Sequence, residues 1–214
     1  MIDLHTHTLL SDGQLLPAEL ARRAENIGYK AIAFTDHVDS SNLDIVLPQI
    51  IKACMHLNRN FSIKLIPGVE LTHIPPSAIN DMVKEARSMG AKIIIVHGET
   101  IIEPVKPGTN KAALEADIDI LAHPGLITKE EVILAKKKGI YLELTTRAGH
   151  CYANGHIARL AKEEGAKLVI NNDAHSPTDL VSKDFAKKII LGAGITPPEL
   201  ESIFQNSQII LQNL

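Results

Sequence analysis

The chain has 214 residues, 45% of them hydrophobic and 22% charged, with a formal net charge of -3. That length can bury a substantial core without disulfides, and the slightly acidic balance excludes the broad basic field that draws proteins to nucleic acid. Cys54 and Cys151 form no CxxC pair and fit a reducing cytoplasm rather than a disulfide framework, the N-terminus lacks the pattern of a signal peptide, and no apolar run approaches the length of a membrane span.

In chain order, seven short runs rich in Ile, Val and Leu read as strands at residues 2–5, 31–35, 64–70, 92–97, 118–123, 139–145 and 167–171. Continuous apolar runs suit strands buried on both faces, as in parallel sheets. Helical patterns fall between them at 17–27, 48–57, 77–89, 129–138 and 154–164. The first opens on Pro17, and several stop at a glycine that leads into the next strand. Strand-then-helix repeated in this way predicts a βα array. Residues 184–214 read as one or two terminal helices with a short tail, covering the array rather than forming a second domain.

Ten histidines stand in a chain with 3% aromatic residues and no tryptophan, and most of them follow the apolar runs. The strand ends carry His5-Thr6-His7 with Ser11-Asp12-Gly13, then Thr35-Asp36-His37, Glu70, His97, His123-Pro124-Gly125, and Asn172-Asp173-Ala174-His175. Parallel strands of a βα array point their C-terminal ends to one face, which carries the active site. His5, His7, His37, His97, His123 and His175 can therefore meet Asp12, Glu70 and Asp173 in one pocket. At about three protein ligands per open catalytic ion, these nine groups suit roughly three divalent ions. Three such ions exceed the charge of three carboxylates and leave a pocket suited to a phosphate dianion.

Other residues read less sharply. Asp12 alone also fits a turn, Asp36 fits an orienting partner, and Glu99 fits either loop surface or site. His56 lies on a helical stretch, and His73, His150 and His156 lie in loops that face the site. Arg147 follows the sixth strand, the one strand without a ligand-type residue at its end, and offers a planar fork for phosphate. Lys106 and Lys111, in the long loop after His97, and His150 are further substrate-contact candidates.

The ordered set from His5 to His175 resembles the four motifs of the PHP (polymerase and histidinol phosphatase) family of metal-dependent phosphoesterases. The resemblance implies a distorted seven-stranded (βα)7 TIM-like barrel of α/β class, a single domain over 1–214 with strands roughly within 2–175 and C-terminal helices and tail at 177–214. It implies three divalent ions, whether zinc, manganese or iron. His5, His7, Glu70 and Asp173 would serve the first, Asp12, His37 and His175 the second, and a bridging Glu70 with His97 and His123 the third. The implied reaction is hydrolysis of a small-molecule phosphate ester by a metal-bridging hydroxide. A phosphodiesterase or 3′-5′ exonuclease activity is the alternative among enzymes, though low basic charge and few aromatics weigh against nucleic acid. A non-catalytic metal-binding module is the alternative outside them. The amidohydrolase barrels also open with HxH, but they place a lysine or carboxylate on strand four, where this chain has His97.

Overall fold

The structure, a computed structural model, describes residues 1–214. Its parallel strands are β1 (Ile2–Asp3), β2 (Ala31–Phe34), β3 (His37–Val38), β4 (Lys64–Leu71), β5 (Ile93–His97), β6 (Ile120–Ala122), β7 (Tyr141–Thr145) and β8 (Leu168–Asn171). They run in the order β1-β2-β4-β5-β6-β7-β8, with β3 also paired to β4. Because β2 pairs with residues 64–67 of β4 and β3 with Glu70 and Leu71, the two short strands occupy one barrel position, interrupted at Thr35-Asp36. Seven positions result, as the apolar runs predict. The ring closes between its ends at a single parallel bridge, Thr6 with Ala174, where His7 N donates to Ala174 O at 2.9 Å and Asp173 N to His5 O at 3.0 Å. The barrel's seam is thus stitched by the residues that flank and include the ligand-type groups.

The connecting helices are α1 (Pro17–Asn26), α2 (Leu43–Leu57), α3 (Pro76–Ser88), α4 (Thr109–Glu115), α5 (Lys129–Lys138), α6 (Asn154–Glu164), α7 (Lys183–Gly192) and α8 (Pro197–Gln212). Helix α5 shows how local signals set the bounds. Thr128 and Glu131 form a reciprocal capping box at its start, and Gly139 adopts φ +74° just past its end, a conformation costly for any residue with a Cβ. Two elements depart from expectation. Helix α2 begins at Leu43 rather than near Pro48, which the helix accommodates in its second turn. Helix α4 occupies part of the stretch read as loop; its seven residues are too few to show a 3.6-residue period.

A large apolar cluster fills the space between barrel and helices, and a smaller one of 12 buried residues fills the barrel itself. The inner cluster takes alternate strand positions: Ile2 and Leu4, Ala31 and Ala33, Ile66, Ile93 and Ile95, Ile120 and Ala122, Tyr141, Val169. Side chains two residues apart on a strand share a face. The same inward rows therefore continue upward to Glu70, His97, Glu143 and Asn171, so the barrel is apolar below and polar above. At the N-terminal end, Ile210 of α8 joins the inner cluster with Leu211 and Leu214 against it, and Asn206 Nδ2 donates to Leu168 O at 2.8 Å. The terminal helix covers the barrel's lower opening. No helix is long and apolar enough to cross a membrane.

Candidate metal centre

The C-terminal strand ends surround a cavity of about 270 Å³ whose lining has no hydrophobic residue. It comprises Asp12, His37, Thr72, His73, His97, Glu103, Arg147, His150, Asp173 and His175. Beneath it lie His5, His7, Glu70 and His123, all essentially inaccessible. The nine ligand-type residues thus converge from six of the seven barrel positions. His5 Nε2 lies 3.3 Å from Glu70 Oε1 and 3.6 Å from Asp173 Oδ1, and His7 Nε2 lies 3.1 Å from Asp173 Oδ1. On one side, Asp12 Oδ1 stands 3.4 Å from His37 Nε2 and 3.2 Å from His175 Nε2. On the other, the rings of His97 and His123 meet edge to face at 4.4 Å.

Ring orientation follows from partners outside the cluster. His5 Nδ1 donates to Glu143 Oε1 at 2.9 Å, and His97 Nδ1 sits 3.1 Å from Gly98 O. Anchoring one ring nitrogen leaves the other free to face a cation. Glu143 does more: it accepts from the backbone N–H of His123 at 3.1 Å and from Asn171 Nδ2 at 2.8 Å. Asp36, buried, accepts from the backbone and hydroxyl groups of both Thr8 and Ser11, pinning the loop that carries Asp12. It organises the site rather than lining it. The loop returns at Gly13, where a Cβ would collide with the carbonyl of His7. The three non-glycine residues with positive φ, His73, His123 and Asp173, all lie at this end. Backbone strain of this kind persists where surrounding structure fixes a functional geometry.

Electrostatics keep the cluster poised. Burial holds the imidazoles of His7 and His123 well below their ordinary pKa, reinforced for His7 by His37 and His175 and for His123 by His97. Both are therefore neutral at pH 7 with lone pairs available. His5 moves the other way, because Glu143, Glu70 and Asp173 outweigh its burial. Glu70 is likewise buried, yet His5 and His37 hold it ionised, well below the usual carboxylate range. Even so, His5 Nε2, both ring nitrogens of His7, His123 Nδ1 and Glu70 Oε1 are buried without a hydrogen-bond partner. Orphaned buried polar atoms cost roughly 1–3 kcal/mol each. Five of them around one centre, all imidazole nitrogen or carboxylate oxygen, fit divalent cations with N and O donors.

The other sequence-level candidates separate cleanly. Arg147 lies in the cavity wall, its Nη1 2.8 Å from His175 Nδ1 and 3.0 Å from Asp173 O. His150 lines the cavity at 5% exposure, and His73 stands at its rim. Lys106 and Lys111 are exposed and absent from the lining, Lys111 because the stretch that carries it winds into α4. Glu99 caps that helix, its Oε1 accepting from Gly108 N and Asn110 N. His156 lies on α6 rather than in a loop facing the site, its Nε2 donating to Ile127 O, and His56 sits on exposed α2 surface. Two residues were not anticipated. Glu143 stands in mid-strand on the sixth barrel position, and Glu103 reaches in from the loop after β5. The inward parity of Tyr141 could have flagged the first; no spacing rule flags the second.

Known proteins share the family and the fold of this chain. The family model described as PHP domain matches residues 3–164. An uncharacterized protein of Methanocaldococcus jannaschii is 50% identical over 202 residues, covering 94% of this chain and 93% of that protein. A probable phosphatase of Thermoanaerobacter sp. is 29% identical, covering 92% and 87%. The DNA polymerase/3′-5′ exonuclease PolX of Bacillus subtilis is 28% identical over 81% of this chain, which spans only 34% of that protein. Among solved structures, an amidohydrolase shares the barrel over 99% of this chain and 74% of its own (TM-score 0.64, 12% identity). At that identity the likeness shows the fold alone, and the amidohydrolase reading goes no further. With its histidine and carboxylate motifs gathered at one barrel end and the family match running through most of its length, this chain belongs to the PHP family of metal-dependent phosphoesterases.

Proposed function

We propose that this chain is a phosphomonoesterase acting on a small phosphorylated metabolite, with its site built for three divalent ions: zinc, manganese or iron. One observation carries the reading. A small all-polar cavity sits directly over buried imidazole nitrogens and a carboxylate oxygen that lack partners. His5, His7, Glu70 and Asp173 would hold one ion, Asp12, His37 and His175 a second, and His97 and His123 a third beside Glu70. Divalent ions bound there would supply Lewis acidity and a water of lowered pKa. The chain's own groups do the rest. Burial keeps His7 and His123 unprotonated, Glu143 fixes the ring of His5, and the Asp36-pinned loop sets Asp12. Arg147, at the cavity wall, presents a planar fork to the non-bridging oxygens of a phosphate. A cavity of about 270 Å³ lies at the small end of ligand pockets, and its lining has no Phe, Tyr or Trp on which bases could stack. The name of the Thermoanaerobacter relative supports the same reading, while that of PolX keeps a phosphodiesterase or exonuclease activity as the alternative.

The test is a panel of phosphomonoesters, phosphodiesters and single-stranded oligonucleotides, assayed on chelator-stripped protein before and after reloading with manganese, zinc or iron. Turnover of monoesters that depends on the added metal is the expected result. Preference for oligonucleotides would install the alternative, and metal retention with no turnover on any substrate would leave a binding module.

A further inference from the structure

The nine residues leave one group of side chains at the cavity unused. Glu103 arches from the loop between β5 and α4 so that its carboxylate lies 3.2 Å from His97 Nε2 and 3.3 Å from both His150 Nε2 and His73 Nε2. His150 enters from the short 3-10 turn after β7 (His150–Ala153), is almost wholly buried, and has its Nδ1 2.9 Å from Thr100 Oγ1. Its Nε2 is thereby left to face the cavity, the arrangement seen at His5 and His97. His156 is the contrast: its Nε2 is spent on a backbone carbonyl, and it meets no carboxylate.

His150 also stands where a ligand would. One potential ligand atom from each of His97, His123 and His150 lies within 4.8 Å of the others. The rings of His123 and His150 stack at 4.2 Å, and His123 Nδ1 is buried without a partner. Glu70 comes no closer than 3.7 Å to His123 Nε2 and forms no ion pair with His97. The carboxylate within reach of His97 is Glu103. Glu103 reaches His97 and His150, and His123 stands beside both; together these groups form a donor set for a divalent cation.

We propose that the cation beside His97 and His123 takes His150 and Glu103 as further ligands. The proposal rests on the multinuclear reading above and refines it: His150 binds metal rather than substrate. A site of three imidazoles and one carboxylate favours zinc, and its carboxylate sits on a loop, one-third exposed.

The experiment counts metal. Full-length protein is stripped with a chelator, reloaded with zinc, desalted and measured by elemental analysis, with zinc affinity followed by competition against a chromophoric chelator. Wild type should retain three ions. His150→Gln and Glu103→Gln should each retain two, with the third zinc's Kd raised at least about 10-fold. Circular dichroism and melting check the fold of both variants; Glu103, on a loop, reports even if His150→Gln fails to fold. Variants that keep all three ions at wild-type affinity overturn the proposal, as does a raised KM in His150→Gln with full zinc content. Wild type that holds two ions, unchanged by either substitution, overturns it while leaving the phosphoesterase reading intact. Wild type that holds no ion removes both.

Discussion

The two ends of the barrel treat buried charge in opposite ways. At the lower end Asp119, just before β6, is three-quarters buried, and burial raises its pKa despite the neighbouring Arg87. Its Oδ2 nevertheless accepts from Arg87 Nη2 at 2.6 Å and from Ile94 N at 2.7 Å, while the same guanidinium reaches the carbonyls of Lys92 and Asp117. Beside it the inner cluster is apolar and plugged by Ile210. At the upper end Glu70 and the imidazoles of His5, His7 and His123 are fully buried, yet keep polar atoms with no partner. The lower end is completed mostly by groups the chain supplies; outside the ligand cluster only Ser207 Oγ of α8 and Asp3 Oδ2 of β1 are buried without a partner. The upper end is arranged for something from outside, and it spends stability to stay open to it, as functional sites commonly do.

The largest effect should come from removing a ligand-type side chain at the upper end. His7→Ala is expected to lower kcat/KM for a phosphomonoester by about 10³-fold or more, since metal centres contribute several kcal/mol to the transition state. The melting temperature of the metal-free variant should be unchanged or higher than that of metal-free wild type, because an imidazole with two unpaired buried nitrogens has gone. Metal should then stabilise wild type far more than the variant, a linkage that calorimetry with and without zinc measures directly. A metal-free His7→Ala protein that melts well below wild type would mean that the upper end is held together from within after all.

The lower end should respond in the reverse sense. Ile210→Ala, which opens the plug of the inner cluster, is expected to cost roughly 2–4 kcal/mol in denaturant unfolding, within the range for such core truncations. Turnover per folded molecule should not change. Arg87→Ala should cost less, roughly 2–3 kcal/mol. It strands Asp119 without its cation, but that pair is about one-quarter exposed, so the loss falls short of the figure for a fully buried pair. Metal content should stay at the wild-type value in both. Loss of zinc from Ile210→Ala would show that the two ends are mechanically coupled.

Much of this contrast is legible in the sequence, for a geometric reason. Parallel strands deliver their C-terminal ends to one place, so His97 and Asp173, far apart along the chain, can be joined by inspection once the apolar runs are found. What the strand-end rule does not reach is anything set by loop path or by depth within a strand. The interruption at Thr35-Asp36 hides inside a run that reads as a single strand. Helix α4 is too short for periodicity to mark. Glu103 arrives through a loop whose course depends on Glu99 capping α4 and on Asn110 Nδ2 donating to Pro124 O at 2.9 Å. Tertiary contacts of that kind leave no spacing signature.

Glu143 marks the boundary between what can and cannot be read. Its neighbours Leu142 and Leu144 face the outer core and Tyr141 the inner one, so parity assigns Glu143 to the barrel interior, one level below the strand ends where ligand-type residues stand. A carboxylate there, wholly buried, requires partners, and it finds three: the ring of His5, the amide of His123 and the side chain of Asn171. Glu143→Gln keeps the shape and the bond from His123 but replaces one charged acceptor with a neutral amide facing His5. The ring of His5 then loses the anion that fixes its Nδ1 proton and strengthens its Nε2 as a donor. The expected outcome is the mildest of the series, a 10- to 100-fold weaker zinc affinity at the site that His5 serves, with the fold and the ion beside His97 retained. Titration of apo protein with zinc, read by calorimetry, decides it. Unchanged affinity would make Glu143 a packing element of the upper barrel and leave the orientation of His5 to its own rotamer.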